Sequence, residues 1–312
     1  MSNEIVGALK YLFAVDEATW GVFNPAPIYV PIPVTDYSCH FVPQTIEPQP
    51  YLGSFQRKSS INVRGMVTGQ LSSPLYGNFP TSPAESLAQY LIDWAFADYE
   101  LSTIRSKSIQ WAEGPNVSNK QHTGLRVASA TIAGDDQSGM VTISLQLMGQ
   151  AETNPGAAQA LPSNWAKIPF FEFKDATFTI AGTAVLLKSF QIQIQNAVKV
   201  EYLNSFNPTL ILKTDRQVSV QMTPVKNSDT YDTYRRAATL NSMDVGCVLK
   251  GLCNGTNGVN TWSIVTVDVP QAVFQTADEQ GAVNDICTQP LHFMATKPDS
   301  ASNDIAFTYS AS

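Results

Sequence analysis

The chain repeats itself. Tyr51-Leu52-Gly53-Ser54-Phe55 returns as Tyr202-Leu203-Asn204-Ser205-Phe206, and at the same offset Val67-Thr68-Gly69-Gln70-Leu71 aligns with Val218-Ser219-Val220-Gln221-Met222. Six of the 21 positions in 51–71 are identical in 202–222, where composition alone gives about one or two. In each half the matched segment leads into a Ser- or Asp-led helical stretch. Each half then closes on a similar apolar run, Ser144-Leu145-Gln146-Leu147-Met148-Gly149 and Pro290-Leu291-His292-Phe293-Met294-Ala295. A sequence carried twice folds twice, so the expected organisation is two tandem domains, 1–155 and 156–312, with a linker at about 151–165 rich in Ala, Pro, Gly and Asn. At 312 residues the chain gives each half enough length to bury a core of its own.

The elements read as mainly β. In Met140–Met148, Val141, Ile143, Leu145 and Leu147 form one face while Thr142, Ser144 and Gln146 form the other. That is a strand with one buried side and one neutral polar side. Strands are also expected at Val34–Val42, Ile61–Leu71, Phe170–Phe173, Ala176–Ile180, Gln191–Gln195, Thr209–Met222 and Trp262–Val269. A short amphipathic stretch, Ile5–Val15, precedes a proline-studded arm over Asn24–Pro33, whose prolines exclude a helix. Long connections follow at 43–60 and 196–209, tipped by Phe55 and Phe206 with Tyr51 and Tyr202 beside them. Connections of that length in a compact domain are usually functional or disordered. Ser82-Pro83-Ala84-Glu85 is a capping box with proline at the first helical position, and Leu87, Leu91, Trp94 and Ala95 follow at helical spacing, which predicts a helix over about 83–98. Asp229–Asp232 is placed to cap a weaker copy in the second half.

Composition excludes several function classes. Charged residues are 14% of the chain, against about 25% in ordinary proteins. A surface polar but poor in charge is what buried interfaces show, because Lys, Glu and Asp are costly to desolvate while Ser, Thr, Asn and Gln can pair across a contact. The formal charge of −7 divides as −5 over 1–155 and −2 over 156–312, so neither half offers the basic field of a nucleic-acid binder. The four cysteines, Cys39, Cys247, Cys253 and Cys287, form no C-x-x-C pair and are expected as reduced, buried thiols. No run approaches the ~20 apolar residues of a membrane span, and Ile5–Leu9 lacks a small-residue cleavage site, so synthesis in a cytoplasm without export is expected. His40, His122 and His292 sit in no metal-ligand pattern, and no nucleophile elbow, phosphate loop or dinucleotide fingerprint occurs. Asp135 and Asp136, the nearest approach to paired carboxylates, fall where a hairpin needs a turn. No catalytic residue, metal or cofactor is assigned.

Glu17-Ala18-Thr19-Trp20-Gly21, Gly53-Ser54-Phe55 ahead of a strand, Gly65–Leu71, and Gly139–Gly149 as a closing strand together resemble the tail tube (major tail) proteins of long-tailed double-stranded-DNA bacteriophages. The likeness covers most of 14–150 and, through the repeat, 170–296. It implies a pair of packed β-sheets flanked by one helix in each domain. It also implies a non-enzymatic virion protein that builds stacked rings, assembles in the bacterial cytoplasm and lets DNA pass through its lumen. Its partners would be further copies of itself, the tail-tip initiator, the tape-measure and the terminator proteins, with no membrane. Since six tube domains usually make a ring, two domains per chain imply a homotrimer with pseudo-sixfold symmetry. On this reading Tyr51, Phe55, Tyr202 and Phe206 are ring-stacking candidates and Thr142, Ser144 and Gln146 are lumen candidates. A carbohydrate-binding β-sandwich using the five tryptophans, or another virion adhesion or decoration protein, is the alternative.

Overall fold

Period-two burial builds this molecule from antiparallel strands. The computed structural model describes residues 11–24, 29–46, 60–77, 86–96, 106–112, 119–154, 170–225, 243–254, 260–277, 288–296 and 304–311. The first half holds β1 (Tyr11–Asp16), β2 (Val30–Ile32), β3 (Asp36–Tyr37), β4 (His40–Ile46), β5 (Ile61–Pro74), α1 (Leu87–Phe96), β6 (Lys107–Ala112), β7 (Lys120–Asp135), β8 (Val141–Gly149) and β9 (Ala151–Thr153). The second holds β10 (Thr177–Ile180), β11 (Thr183–Val185), β12 (Leu187–Glu201), β13 (Leu210–Pro224), β14 (Met243–Asn254), β15 (Asn260–Ala277), β16 (Leu291–Ala295) and β17 (Ala306–Ala311).

Each half weaves two layers through one long strand. In the first, β2, β1 and β6 lead into the early part of β7, whose later part pairs with β8, then β5 and β4. In the second, β11, β10 and β14 lead into β15, which pairs with β16, then β13 and β12. The sheets are mainly antiparallel and do not close into a barrel, as expected of a sandwich-like β fold.

Register recurs along with order. Leu71 opposite Leu145 in the first half corresponds to Met222 opposite Leu291 in the second. Three bulges also recur. The β4–β5 ladder slips between Gln44 and Thr45 and the β12–β13 ladder between Ala197 and Val198. The β7–β8 slip between Val127 and Ser129 matches the β15–β16 slip between Phe274 and Thr276. The β6–β7 slip between Lys107 and Ile109 matches the β14–β15 slip between Met243 and Val245. Bulges are positioned features that bend a strand and fix its twist.

Burial follows the alternation. Val141, Ile143, Leu145 and Leu147 face the core from β8, and Leu87, Leu91, Trp94 and Ala95 face it from α1. The buried apolar side chains of both halves form one connected cluster, so the halves share packing instead of closing two separate cores.

Several sequence expectations shift. The helix begins at Leu87, and its observed cap is Ser86, whose Oγ accepts from Gln89 N–H at 3.0 Å; Ser86-x-x-Gln89 has the capping-box spacing that Ser82–Glu85 also has. Residues 82–85 and 229–232 lie outside the described residues. The expected connections are shorter than 43–60 and 196–209 at their starts, because β4 runs to Ile46 and β12 to Glu201; residues 47–59 lie outside the described residues, and 202–209 turn into β13 at Leu210. The bulges disguised those strand ends, since one extra residue reverses the apolar–polar phase. Val34–Val42 divides into β3 and β4 where Ser38 and Cys39 cross over Gly69. The linker starts later than 151, because Ala151–Thr153 pairs with β7. Phe170–Glu172 make single bridges and Phe173–Asp175 a 3-10 turn in place of a strand. Part of the proline arm is β2, paired to β1.

Candidate functional site

The most extended feature outside the core is the polar side of the main sheet. One row across it reads Ser72, Ser144, Thr131, Gln193, Ser219 and Met294, each opposite the next. A second reads Gln70, Gln146, Ser129, Gln195 and Gln217. A third reads Thr142, Ala133, Gln191, Gln221 and His292. None of these residues is Lys, Arg, Asp or Glu; at the edge, opposite Ser72, stands Asp36, whose carboxylate accepts from Gln70 Nε2. Hydroxyl and amide groups satisfy one another along the rows: Ser72 and Ser144 Oγ are 2.9 Å apart, and Gln146 Nε2 donates to Gln70 Oε1 at 3.2 Å. Thr142, Ser144 and Gln146 thus stand together on β8, toward the first-half side of a neutral carpet that crosses from one half into the other.

The crossing is a strand seam. β7 and β12 pair antiparallel from Asp135 opposite Ser189 to Ser129 opposite Gln195. Asp136 N–H donates to Lys188 O at 2.9 Å just beyond it. At the other end the second half caps α1, whose own last turn carries no basic residue. Asn196 Nδ2 donates to Ala95 O (3.1 Å) and Val127 O (3.0 Å), and Lys213 Nζ to Ala95 O (3.2 Å). Carbonyls at a helix C-terminus need such donors and attract cations. Arg216 lies 4.8 Å from the Phe96 ring centroid and pairs with Asp304.

The aromatic turn after β12 also meets the first half. Phe206 stacks on Phe41 with ring centroids 5.9 Å apart, its carbonyl accepts from Gly65 N–H at 2.9 Å, and Arg64 lies over the Tyr202 ring at 5.0 Å. Phe206 remains 44% exposed, so this contact leaves part of the ring open. Tyr51 and Phe55 lie outside the described residues.

Two polar groups that sequence reasoning gave no role fix the first half. Glu17 is 5% exposed. Its carboxylate accepts from Gly21 N–H (2.8 Å), Ser106 Oγ (2.6 Å), Ser108 Oγ (2.5 Å) and Gly124 N–H (2.7 Å), tying the β1–β2 connection to β6 and β7. Gly124 presents its N–H from φ +66°, a conformation glycine adopts without strain. His122 is fully buried and bridges Tyr37 and Glu152. Since the carboxylate only accepts, Nε2 carries the proton and Tyr37 donates its hydroxyl to Nδ1 at 2.6 Å. Burial pushes the His122 pKa down, against the pull of Glu152. Burial alone would raise the Glu152 pKa, but hydrogen bonds from His122 and Phe41 N–H bring it below its usual value. The Asp135 turn is structural: its Oδ1 accepts from Gln137 N–H (2.9 Å) and Ser138 N–H (2.6 Å), and those bonds, Ser138's first, lower its pKa.

A protein-family comparison decides what such a sheet belongs to. The family described as phage tail tube protein matches residues 7–301. The chain belongs to the phage tail tube protein family. No curated protein matches it. Membership makes it a structural component of a virion tail. Among the described residues no group of three His, Cys, Asp or Glu is placed to hold a metal, and no helix is long and apolar enough to cross a membrane. Cys39 and Cys247 are free and buried, with burial raising the Cys39 thiol to about 12. Of the tryptophans, Trp94 is buried and Trp111 stacks on Tyr37 at 5.2 Å.

Proposed function

We propose that this tube protein self-assembles into three-chain rings of pseudo-sixfold symmetry that stack into a hollow tube, with the neutral carpet around Thr142, Ser144 and Gln146 facing the lumen. The observation that carries this reading is the β7–β12 seam. Two halves with matching strand order, register and bulges are joined through their sheets, edge to edge, as repeated units of a ring would be. Tandem duplication of one tube domain accounts for all three matches. Seven paired positions at about 0.5–1.5 kcal/mol per hydrogen bond make a useful but modest seam, so closure needs apolar burial repeated around the ring. A lumen wall of hydroxyls and amides offers DNA phosphates no cation to bind, within a chain whose overall charge is −7. Stacking between rings through Tyr202 and Phe206, and through Tyr51 and Phe55, belongs to the same reading, as do assembly in the host cytoplasm and contacts with initiator, tape-measure and terminator proteins. Negative-stain microscopy of the concentrated protein tests it: rings or tubes showing six lobes with a three-chain mass support it, and a monomer that stays monomeric when seeded with tail tips refutes it.

A further inference from the structure

Each chain contains one seam between its halves, and the strands that form it have counterparts paired on one side only among the described residues. β7 is paired on two sides over Ser129–Gly134, by β8 and by β12. Its counterpart β15 pairs with β14 up to Ala272 and, over Thr276–Ala277, with β16 alone among the described residues. Among the described residues the position that β12 fills beside β7 is therefore unfilled beside Thr276 and Ala277 of β15. Conversely, β12 has β13 on one side and β7 on the other, whereas its counterparts β3 and β4 pair only with β5 among the described residues. Among the described residues the two unfilled edges are complementary and lie in different halves, as the two sides of a seam between copies would.

Resting on the ring reading above, we infer that the second half of one chain pairs through the open side of β15 with the β4 edge of the next chain, in the register of the internal seam. The recurring bulges fix that register. Phe41 opposite Val67 corresponds to Ile194 opposite Val218, which makes Val42 the counterpart of Gln195; Phe274 and Val127 correspond at their bulges, which makes Thr276 the counterpart of Ser129. Ser129 opposite Gln195 inside the chain becomes Thr276 opposite Val42 of the next chain, and Ala130 opposite Ile194 becomes Ala277 opposite Phe41. Head-to-tail pairing of this kind generates a ring if its rotation closes. Glu152 occupies the Phe41 N–H of that edge at 3.0 Å, so it holds the place that the arriving strand takes.

The seam between chains would lack the anchoring side chains of the internal one. Asn196, Lys213 and Arg216, which anchor the internal seam to α1 and Phe96, correspond in the first half to Pro43, Asn62 and Gly65. None of these three supplies the same cap: proline has no amide donor, Asn62 is short and uncharged, and glycine has no side chain.

Paired cysteines test the register, because opposed strand residues fall within the Cα separation a disulfide spans. Chains carrying Val42→Cys are mixed with chains carrying Thr276→Cys under mild oxidation, each single variant alone serving as control for the native thiols. The expected result is a covalent dimer only in the mixture, and in the double variant a ladder ending at three chains. Ser129→Cys with Gln195→Cys, cross-linking within one chain, shows that this geometry can form the bond. Rings that assemble on the grid but give no Val42–Thr276 cross-link, while the internal pair does, overturn this register and leave the ring reading standing. Absence of rings with an intact internal cross-link overturns the ring reading itself.

Discussion

Replacing Glu17 should unfasten the first half. In Glu17→Ala two backbone N–H groups, of Gly21 and Gly124, and two hydroxyls, of Ser106 and Ser108, lose their common acceptor. Four bonds at about 1 kcal/mol each put the loss near 4 kcal/mol, within the range of about 3–5 kcal/mol seen when one partner of a buried charged network is removed. Glu17→Gln keeps the shape but turns an N–H₂ group toward two of the donors, for an expected loss of about 2–3 kcal/mol. Urea unfolding followed by tryptophan fluorescence reads the effect. At a slope of roughly 2 kcal/mol/M, the Glu17→Ala midpoint falls by about 2 M. Ser106→Ala and Ser108→Ala, each near 1 kcal/mol, should lose most of their effect in the Glu17→Ala background. A Glu17→Ala midpoint within about 0.3 M of wild type, or full additivity with the serine variants, would refute the network.

Three further outcomes follow from named contacts. His122 has a lowered pKa in the folded chain, so the unfolded chain takes up its proton first as pH falls through about 6.5; the stability deficit of His122→Gln should therefore shrink between pH 7 and 5.5, and a constant or growing deficit in urea titrations counts against that sign. A Cβ at Gly69 would meet Cys39 Cα at 2.4 Å and Cys39 N at 2.6 Å, so Gly69→Ala should cost about 1–3 kcal/mol by overpacking, and an unchanged melting temperature would contradict the close crossing. Gln195→Lys lies on the exposed side of the sheet and should change the melting temperature little, since such substitutions stay within about 0.5 kcal/mol. In virions it should slow DNA ejection, and wild-type ejection kinetics would count against the lumen assignment.

Strands with unbroken alternation were legible from sequence. Val141–Gly149 shows its two faces in residue type alone, and Leu87, Leu91, Trp94 and Ala95 mark the buried side of α1. Likeness between the halves was legible in 51–71 and 202–222 and in the closing runs at 144–149 and 290–295, while elsewhere matching register carries little identity: Val127 and Phe274 share only apolar character yet sit at matching bulges. Bulges themselves leave no simple signature, and they concealed the ends of β4 and β12. The neutral face was visible in three residues of one strand, but its extent depends on which strands are neighbours. Asn196 and Lys213 act on α1 across about a hundred residues of sequence, a relation no local pattern records. Glu17 and His122 draw their roles in large part from partners 85 to 107 residues away.

Cryo-electron microscopy of the assembled tube tests the central claim most directly, by counting chains per ring and locating the β8 polar face. The account predicts three chains per ring, six similar lobes, and Thr142, Ser144 and Gln146 on the lumen wall beside Gln193 and Gln195. Six chains per ring, or a wall lined by basic side chains with that face turned outward, would contradict it.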